Sequence, residues 1–409
     1  MNFNENQRKA IEITGKNVTV FASAGAGKTT LLIARLIKRM KVDRLGIDEI
    51  CAMTFTEAAA SEMKKRLALA LSSEDDPFLK QQLILLPSAS ISTIHSLCLM
   101  IVKNYGYLIA LNPERALNIL DEGELKQARF QALSQAHLQV MHESVSAYNE
   151  TLTFFSGNPA STEALDRAVL TLAEGLWEEE DADAARARII QTYEANAIEE
   201  LPEALQDLYW TYYQIQIEHL AHLVIECLSA YDACEVNKPQ EQAILNSLYS
   251  GLLKALQQHK DKDTGFQETM MAILDIQFSR VMKVPAYTEA RSRLIESIKT
   301  LVEHFYPLNQ QFSLLHQSSG VISILLQLAD AYTIAFSEAK EQRQGLDFSD
   351  LEHLALEILT ADGAYASNQL KQRFQEVLVD EYQDTNAIQD RIIQLISNGH
   401  NTFRVGDVK

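Results

Sequence analysis

The sequence is poor in cysteine, glycine and proline. Its four cysteines (Cys51, Cys98, Cys227 and Cys234), spread over 409 residues, form no CxxC pair and no regular spacing. That excludes a disulfide framework or a zinc ribbon and points to a reducing compartment. With 15 Gly and 8 Pro against 47% hydrophobic residues, the chain is neither fibrous nor disordered. The opening MNFNENQRKA lacks an apolar leader segment, and no apolar run approaches the roughly 18 residues of a membrane span. The expectation is a soluble, cytoplasmic protein with no membrane partner.

Positive charge is also scarce, at 36 Lys and Arg against 55 Asp and Glu, a net charge of -19. The deficit is uneven. Residues 1–71 hold 12 Lys and Arg against 7 Asp and Glu, so the acidity belongs to the rest of the chain. Phosphate binding requires local positive potential, not a basic chain, so a nucleic-acid partner is permitted but not required.

The length suits two or three domains, and three textures follow one another. Up to about residue 110, short β-branched runs alternate with helical patterns. Asn17–Ala22, Ile50–Thr56 and Ala89–Thr93 read as strands; Thr29–Lys41, Ala58–Leu71 and Ile94–Tyr105 read as helices. From about 111 to 345, Leu and Ala recur at helical spacing between scattered prolines, which predicts a mostly helical domain. From 346 the first texture returns, with strands at Glu376–Tyr382 and Thr402–Asp407 around a helix at Asn386–Ser397. A helical block inserted between two parts of one parallel sheet is the simplest architecture.

The residues that carry chemistry lie in the outer zones. Ala22–Thr29 reads ASAGAGKT, after an apolar strand and at the start of a helix. Ser23, Ala24, Gly25, Ala26 and Gly27 would curl the backbone so that successive N–H groups face one anion, at the positive end of the helix dipole. Lys28 would reach the β- and γ-phosphates, Thr29 would bind Mg²⁺, and Thr30 continues the turn. Ala22 stands where the usual pattern has Gly, which leaves the cradle intact. Asp380 and Glu381 close the apolar strand EVLVDEY; beside a phosphate loop, Asp380 suits the Mg²⁺ shell and Glu381 the attacking water.

Other clusters read as architecture. His219 and His222, with Glu218, Glu226 and Cys227, imitate a metal site on one helical stretch but lack further spaced ligands. Tyr209–Tyr213 (YWTYY) reads as core or interdomain packing, and Glu178–Asp183 (EEEDAD) as a solvated helix end or loop.

The phosphate loop together with VDEYQDT (Val379–Thr385) resembles superfamily 1 DNA helicases of the UvrD/RecB kind. Asn4–Ile11 (NENQRKAI) is similar to that family's Q motif, and Thr54–Ala60 (TFTEAAA) and Ser92–Cys98 (STIHSLC) to its DNA-contacting motifs. Leu346–Leu351 (LDFSDL) resembles the motif before the acidic strand, and Val405–Asp407 (VGD) the start of the coupling motif. Within the superfamily the resemblance narrows to the AddA (RexA) group of helicase–nucleases, on Val42–Lys64, Ala89–Cys98, the helical insert and the final VGDVK.

This resemblance implies an α/β fold: a RecA-like P-loop parallel sheet (domain 1A, residues 1–110 and 346–409) with a large, mostly helical insertion (domain 1B, residues 111–345). It implies ATP and Mg²⁺ as cofactors, single-stranded and duplex DNA as partners, and a partner subunit of AddB/RexB type. Gln7 would read the adenine. Gln383 would link the γ-phosphate to the DNA track, while Thr54, Phe55, Thr56, Thr93 and His95 would touch DNA. Phe55 reads equally as a base-stacking ring or a core aromatic at a strand end, and His95 equally as a helix-capping or core histidine. The family's coupling motif continues past the position of Lys409 into a second RecA-like domain with arginine fingers. The expectation for this chain is therefore nucleotide and DNA binding with weak or absent hydrolysis.

Overall fold

The computed structural model describes residues 3–22, 27–157, 161–234, 236, 238–261, 265–278 and 284–407, apart from the side chains of 116 and 117. Five strands, β1 (Val18–Phe21), β2 (Ile50–Thr54), β3 (Ser90–Thr93), β4 (Glu376–Val379) and β5 (Thr402–Gly406), form one sheet in the order β1-β5-β4-β2-β3. All neighbours are parallel, with Val20 opposite Val405 and Met53 opposite Val379. The last two strands thus enter the middle of the sheet, which explains why so few of them suffice in the C-terminal zone.

Alternation along the strands divides the core. Ile50, Ala52, Leu378, Phe403 and Val405 pack with the helices Lys28–Val42 and Glu57–Ser72, through Leu32, Leu36, Met63 and Leu67. Cys51, Met53, Val377 and Val379 face the other way, onto Ile101, Ile358 and Ile392 of the helices Ile94–Tyr105, Phe348–Thr360 and Ala387–Ile396. Both sheet faces are covered, as a parallel sheet requires. The sheet is also clamped by a buried ion pair between Arg35 and Glu376, 2.5 Å apart with both side chains 2% exposed. Arg39 adds a second contact to Glu376 at 3.0 Å, and Arg35 also donates to the carbonyls of Ala10 and Ile13.

The segment Leu346–Leu351 is a capped helix start. Asp347 caps the helix Phe348–Thr360 and forms a capping box with Asp350, while the buried Lys340 ammonium lies 3.0 Å from Asp347 and 2.7 Å from Asp350. Gly345 sits against Leu120, where a Cβ would come within 2.2 Å of a side-chain carbon, so the turn leading into this helix admits no larger residue.

Packing divides the chain into two units, 1–182 with 324–409, and 183–323. The first therefore holds the helices of 111–182 as well as the sheet, a different division from the change of texture at 111 and 345. The second is all helical among its described residues, with the long helices Glu203–Ala233, Pro239–Lys260 and Pro285–His304. Trp210 and Tyr213 belong to its core, and among the described residues no group of three or more His, Cys, Asp or Glu could hold a metal ion. Glu178–Glu180 follow the helix Glu163–Trp177 as an exposed turn.

The helix Leu308–Gln342 departs from the expectation of no span-length apolar segment. It is 35 residues long and contains an 18-residue window of mean hydropathy 1.5. Half of that window is buried in the chain's own packing, and Leu328, Ala329, Tyr332 and Ala335 are core residues. Its apolar character is that of a core helix.

Candidate functional site

A parallel sheet brings the carboxyl ends of all its strands to one edge, where open α/β sheets bind ligands. Every strand here delivers a candidate residue to that edge. Ala22 follows β1, Asp407 follows β5, Asp380 and Glu381 follow β4, Phe55 and Thr56 follow β2, and Thr93 ends β3 with His95 just beyond.

The β1–β5–β4 part collects charge. Adjacent strands lie about 4.8 Å apart, so the ends of β1 and β4 are roughly 10 Å apart with the end of β5 between them. Lys28 bridges that gap: its Nζ is 2.5 Å from Glu381 Oε2 and 3.0 Å from Asp407 Oδ1. Gln383 closes the circuit, donating from Nε2 to Glu381 Oε2 at 2.8 Å and accepting the Asp407 backbone N–H on Oε1 at 2.9 Å. Gly406 makes this possible, because a Cβ there would meet the Gln383 side-chain oxygen at 2.5 Å. Burial pulls the Lys28 pKa down, but the carboxylates of Glu381 and Asp407 outweigh it and leave the ammonium above its ordinary value.

Asp380 is 9% exposed, and its Oδ1 accepts the Glu381 N–H at 3.1 Å. Burial, reinforced by the neighbouring Glu381 charge, lifts its carboxyl above the usual range. Glu381 itself sits in the left-handed region at φ 53°, a conformation that costs a non-glycine residue about 1–3 kcal/mol and is commonest at functional sites. Gly27 takes the same region at φ 82° as the N-cap of the helix Lys28–Val42, which begins with Lys28, Thr29 and Thr30. Ser23, Ala24, Gly25 and Ala26 lie outside the described residues. Gln7 sits in the first turn of the helix Glu5–Glu12, where its side-chain carbonyl accepts the Asn4 N–H in a capping box.

The β2–β3 part is different in kind. Phe55 is 68% exposed, so it is no core aromatic. Thr56 caps the helix Glu57–Ser72. Thr54 and Thr93 are buried with their hydroxyls engaged internally: Thr54 donates to the Thr56 carbonyl, and Thr93 donates to Glu57 at 2.9 Å. Hydrogen bonds from Ser96 and Thr93 hold the Glu57 carboxyl below its usual pKa. His95 is neither a cap nor a core residue. Its ring packs on the exposed Phe348, centroids 5.1 Å apart, and Nε2 is 3.0 Å from Glu352. Glu352 is buried and also receives Gln389 at 2.7 Å and Asn386 at 3.3 Å. Burial alone would raise its pKa; the three donors reverse this and lower it.

The chain matches the model of the UvrD/REP helicase N-terminal domain over residues 3–409. It belongs to the UvrD/REP helicase family. The AddA component of the ATP-dependent helicase/nuclease of Ligilactobacillus salivarius is 32% identical to it, over 100% of this chain and 34% of that protein. The proteins of the same name from Exiguobacterium sibiricum and Leuconostoc mesenteroides are each 30% identical, over 99% and 100% of this chain and 35% of their own lengths. The chain thus spans about a third of the length of these relatives.

Within this UvrD/REP domain the structure joins Lys28, Glu381 and Gln383 into one network and places Phe55 and His95 just past the ends of β2 and β3 on the same edge. Sequence reasoning noticed the VGD segment but did not single out Asp407, whose ion pair spans 379 residues. It missed Glu352 altogether. An acid inside an apolar helix is a weak signal, and nothing in the spacing connects it to a histidine on another element.

Proposed function

We propose that this chain binds ATP with Mg²⁺ at the β1–β5–β4 edge and single-stranded DNA along the β2–β3 edge. On this reading it works in the cytoplasm as part of an ATP-dependent 3′→5′ DNA helicase of the AddA helicase–nuclease type, in double-strand-break repair and recombination. Duplex DNA and a partner subunit of AddB/RexB type are its further contacts. The observation that carries the reading is the Lys28–Glu381–Gln383–Asp407 circuit beside a helix start whose N-cap is a left-handed glycine.

The donor set fits a hard cation. Asp380 has no ion-pair partner among the described residues, and with the Thr29 hydroxyl it offers the oxygen ligands that Mg²⁺ prefers. When bound, Mg²⁺ supplies charge neutralisation to the phosphate oxygens. Ala22 to Thr30 would cradle the phosphates, and Gln7 would read the adenine from the helix start that it caps.

Lys28 neutralises Glu381 in the present arrangement. A polyphosphate competing for the ammonium would release Glu381 to accept a proton from the attacking water, and Gln383 would carry that exchange to Asp407. Phe55, Thr56 and His95 would meet the strand, with base stacking on Phe55 contributing about 1–3 kcal/mol. Thr54 and Thr93 would set the shape of the track from within.

The test is Mg²⁺-dependent nucleotide binding, and ATP hydrolysis with and without single-stranded DNA at low salt, for the wild type and Lys28→Ala. Loss of two charged hydrogen bonds, about 3 kcal/mol, predicts roughly hundredfold weaker binding in the variant. Equal nucleotide affinity in the two proteins would overturn the assignment. Binding without turnover would retain the nucleotide site and reject a motor made by this chain alone.

A further inference from the structure

The two ring nitrogens of His95 face different surroundings. Nε2 is turned inward, 3.0 Å from Glu352 Oε1. The same oxygen accepts from Gln389 at 2.7 Å, and Asn386 reaches Oε2 at 3.3 Å. Nδ1 has no partner among the described residues and is not one of the buried polar atoms left without one, so it opens to water. The side chain as a whole is 37% exposed, with Phe348 packed on the ring.

A carboxylate only accepts, so the proton shared with Glu352 sits on Nε2. In the neutral ring Nδ1 is then an acceptor, which repels a phosphate oxygen; in the imidazolium it is a charged donor. What lies behind the ring decides which form a strand meets. Next to Glu352, His353 shows the alternative. Its Nε2 is 2.8 Å from the Trp177 carbonyl, and burial pulls its pKa down, so that ring is neutral. A carbonyl behind His95 would orient a neutral ring equally well. A buried carboxylate instead stabilises the cation. Burial would raise the Glu352 carboxyl, but its hydrogen bonds, that from His95 first, reverse this and keep it ionised. The other titratable groups around the ring are engaged or neutral. Glu57 takes the Ser96 and Thr93 hydroxyls at 2.7 and 2.9 Å, with Lys64 opposing its charge. Asp350 is paired with Lys340, and burial pushes the Cys98 thiol up. From the helix Ala387–Ile396 and its cap, Glu352 receives only the neutral amides of Gln389 and Asn386. We propose that a strand phosphate binds at His95 Nδ1 and that the ring takes up one proton from solvent as it does so, with Glu352 as the positioning residue that holds the ring and offsets its charge. This rests on the single-stranded DNA reading above.

Binding of labelled oligothymidylate, and of an abasic strand of equal length, is followed by anisotropy for the wild type, His95→Gln and Glu352→Gln. Ionic strength is held low and fixed, because phosphate contacts are salt-dependent, and pH runs from about 6 to about 8.5, the range in which histidines change charge. Wild-type affinity for both strands should fall by up to about tenfold per pH unit on the alkaline side, the slope of one proton. His95→Gln, at a partly exposed position, should flatten that slope. Glu352→Gln should move the fall to lower pH, because the ring loses its counter-charge; a purely structural role would weaken binding equally at every pH. Proton uptake on mixing protein and strand in weak buffer gives an independent count, about one for the wild type and near zero for His95→Gln. Strand binding independent of pH in the wild type overturns the proposal and leaves the DNA reading standing; no strand binding at any pH removes both. A slope that survives His95→Gln, that Glu352→Gln leaves in place, or that disappears with the abasic strand also overturns it.

Discussion

The two ends of β4 carry glutamates only five residues apart in sequence, and they have opposite fates. Glu376, at the entry of the strand, is 1% exposed and closed off by Arg35 and Arg39. Glu381, just past the exit, shares one lysine with Asp407, is about a third exposed and is held in a left-handed backbone. The entry side is a finished ion pair that ties the helix Lys28–Val42 to the sheet. The exit side is an arrangement whose cation can still change partners. The closed pair and the more exposed one thus lie at opposite edges of one sheet.

The contrast can be broken most forcefully at the closed end. Arg35→Met leaves Glu376 without its main partner and should cost about 3–5 kcal/mol in urea unfolding, the usual penalty for opening a buried pair. Nucleotide affinity of the protein that remains folded should not change. At the open end, Lys28→Ala should show the reverse pattern, with the roughly hundredfold loss of nucleotide binding and a much smaller change in stability. Equal destabilisation by the two variants would mean that both ends serve architecture.

Glu352 offers a finer test, because it joins the His95 side of the edge to the helix Ala387–Ile396. Its carboxyl has a lowered pKa, so it contributes stability above the ordinary glutamate value near 4.5 and loses it as pH falls through the lower folded value. Glu352→Gln should cost about 2 kcal/mol near neutrality and flatten the acid limb of the stability profile. An acid limb identical to the wild type would show that this network does not titrate with folding. The smallest effect belongs to Asp380, whose buried charge is disfavoured by burial and by Glu381. Asp380→Asn should raise stability by about 1 kcal/mol, as substitutions that relieve functional strain commonly do. Millimolar Mg²⁺ with nucleotide should then stabilise the wild type and not the variant in a thermal melt.

Much of this protein was legible in the residues themselves. Strand–helix alternation, the glycine turn into the helix that begins at Lys28, the acidic end of β4 and the helical texture of the middle zone are local signals, set by spacing, backbone freedom and side-chain periodicity over a few residues. The burial of Trp210 and Tyr213 within YWTYY followed from the same periodicity. Other features were not legible there. Asp407 beside Lys28, Glu352 beneath His95 and Glu376 under Arg35 each depend on partners far away in the chain. Nor did texture locate the boundaries of packing at 183 and 323. By itself the sequence determined which elements form and which of them bear the residues read here as a phosphate site. Only the tertiary structure decided which charges are closed and which stay open, because electrostatic pairing and burial are properties of neighbours in space.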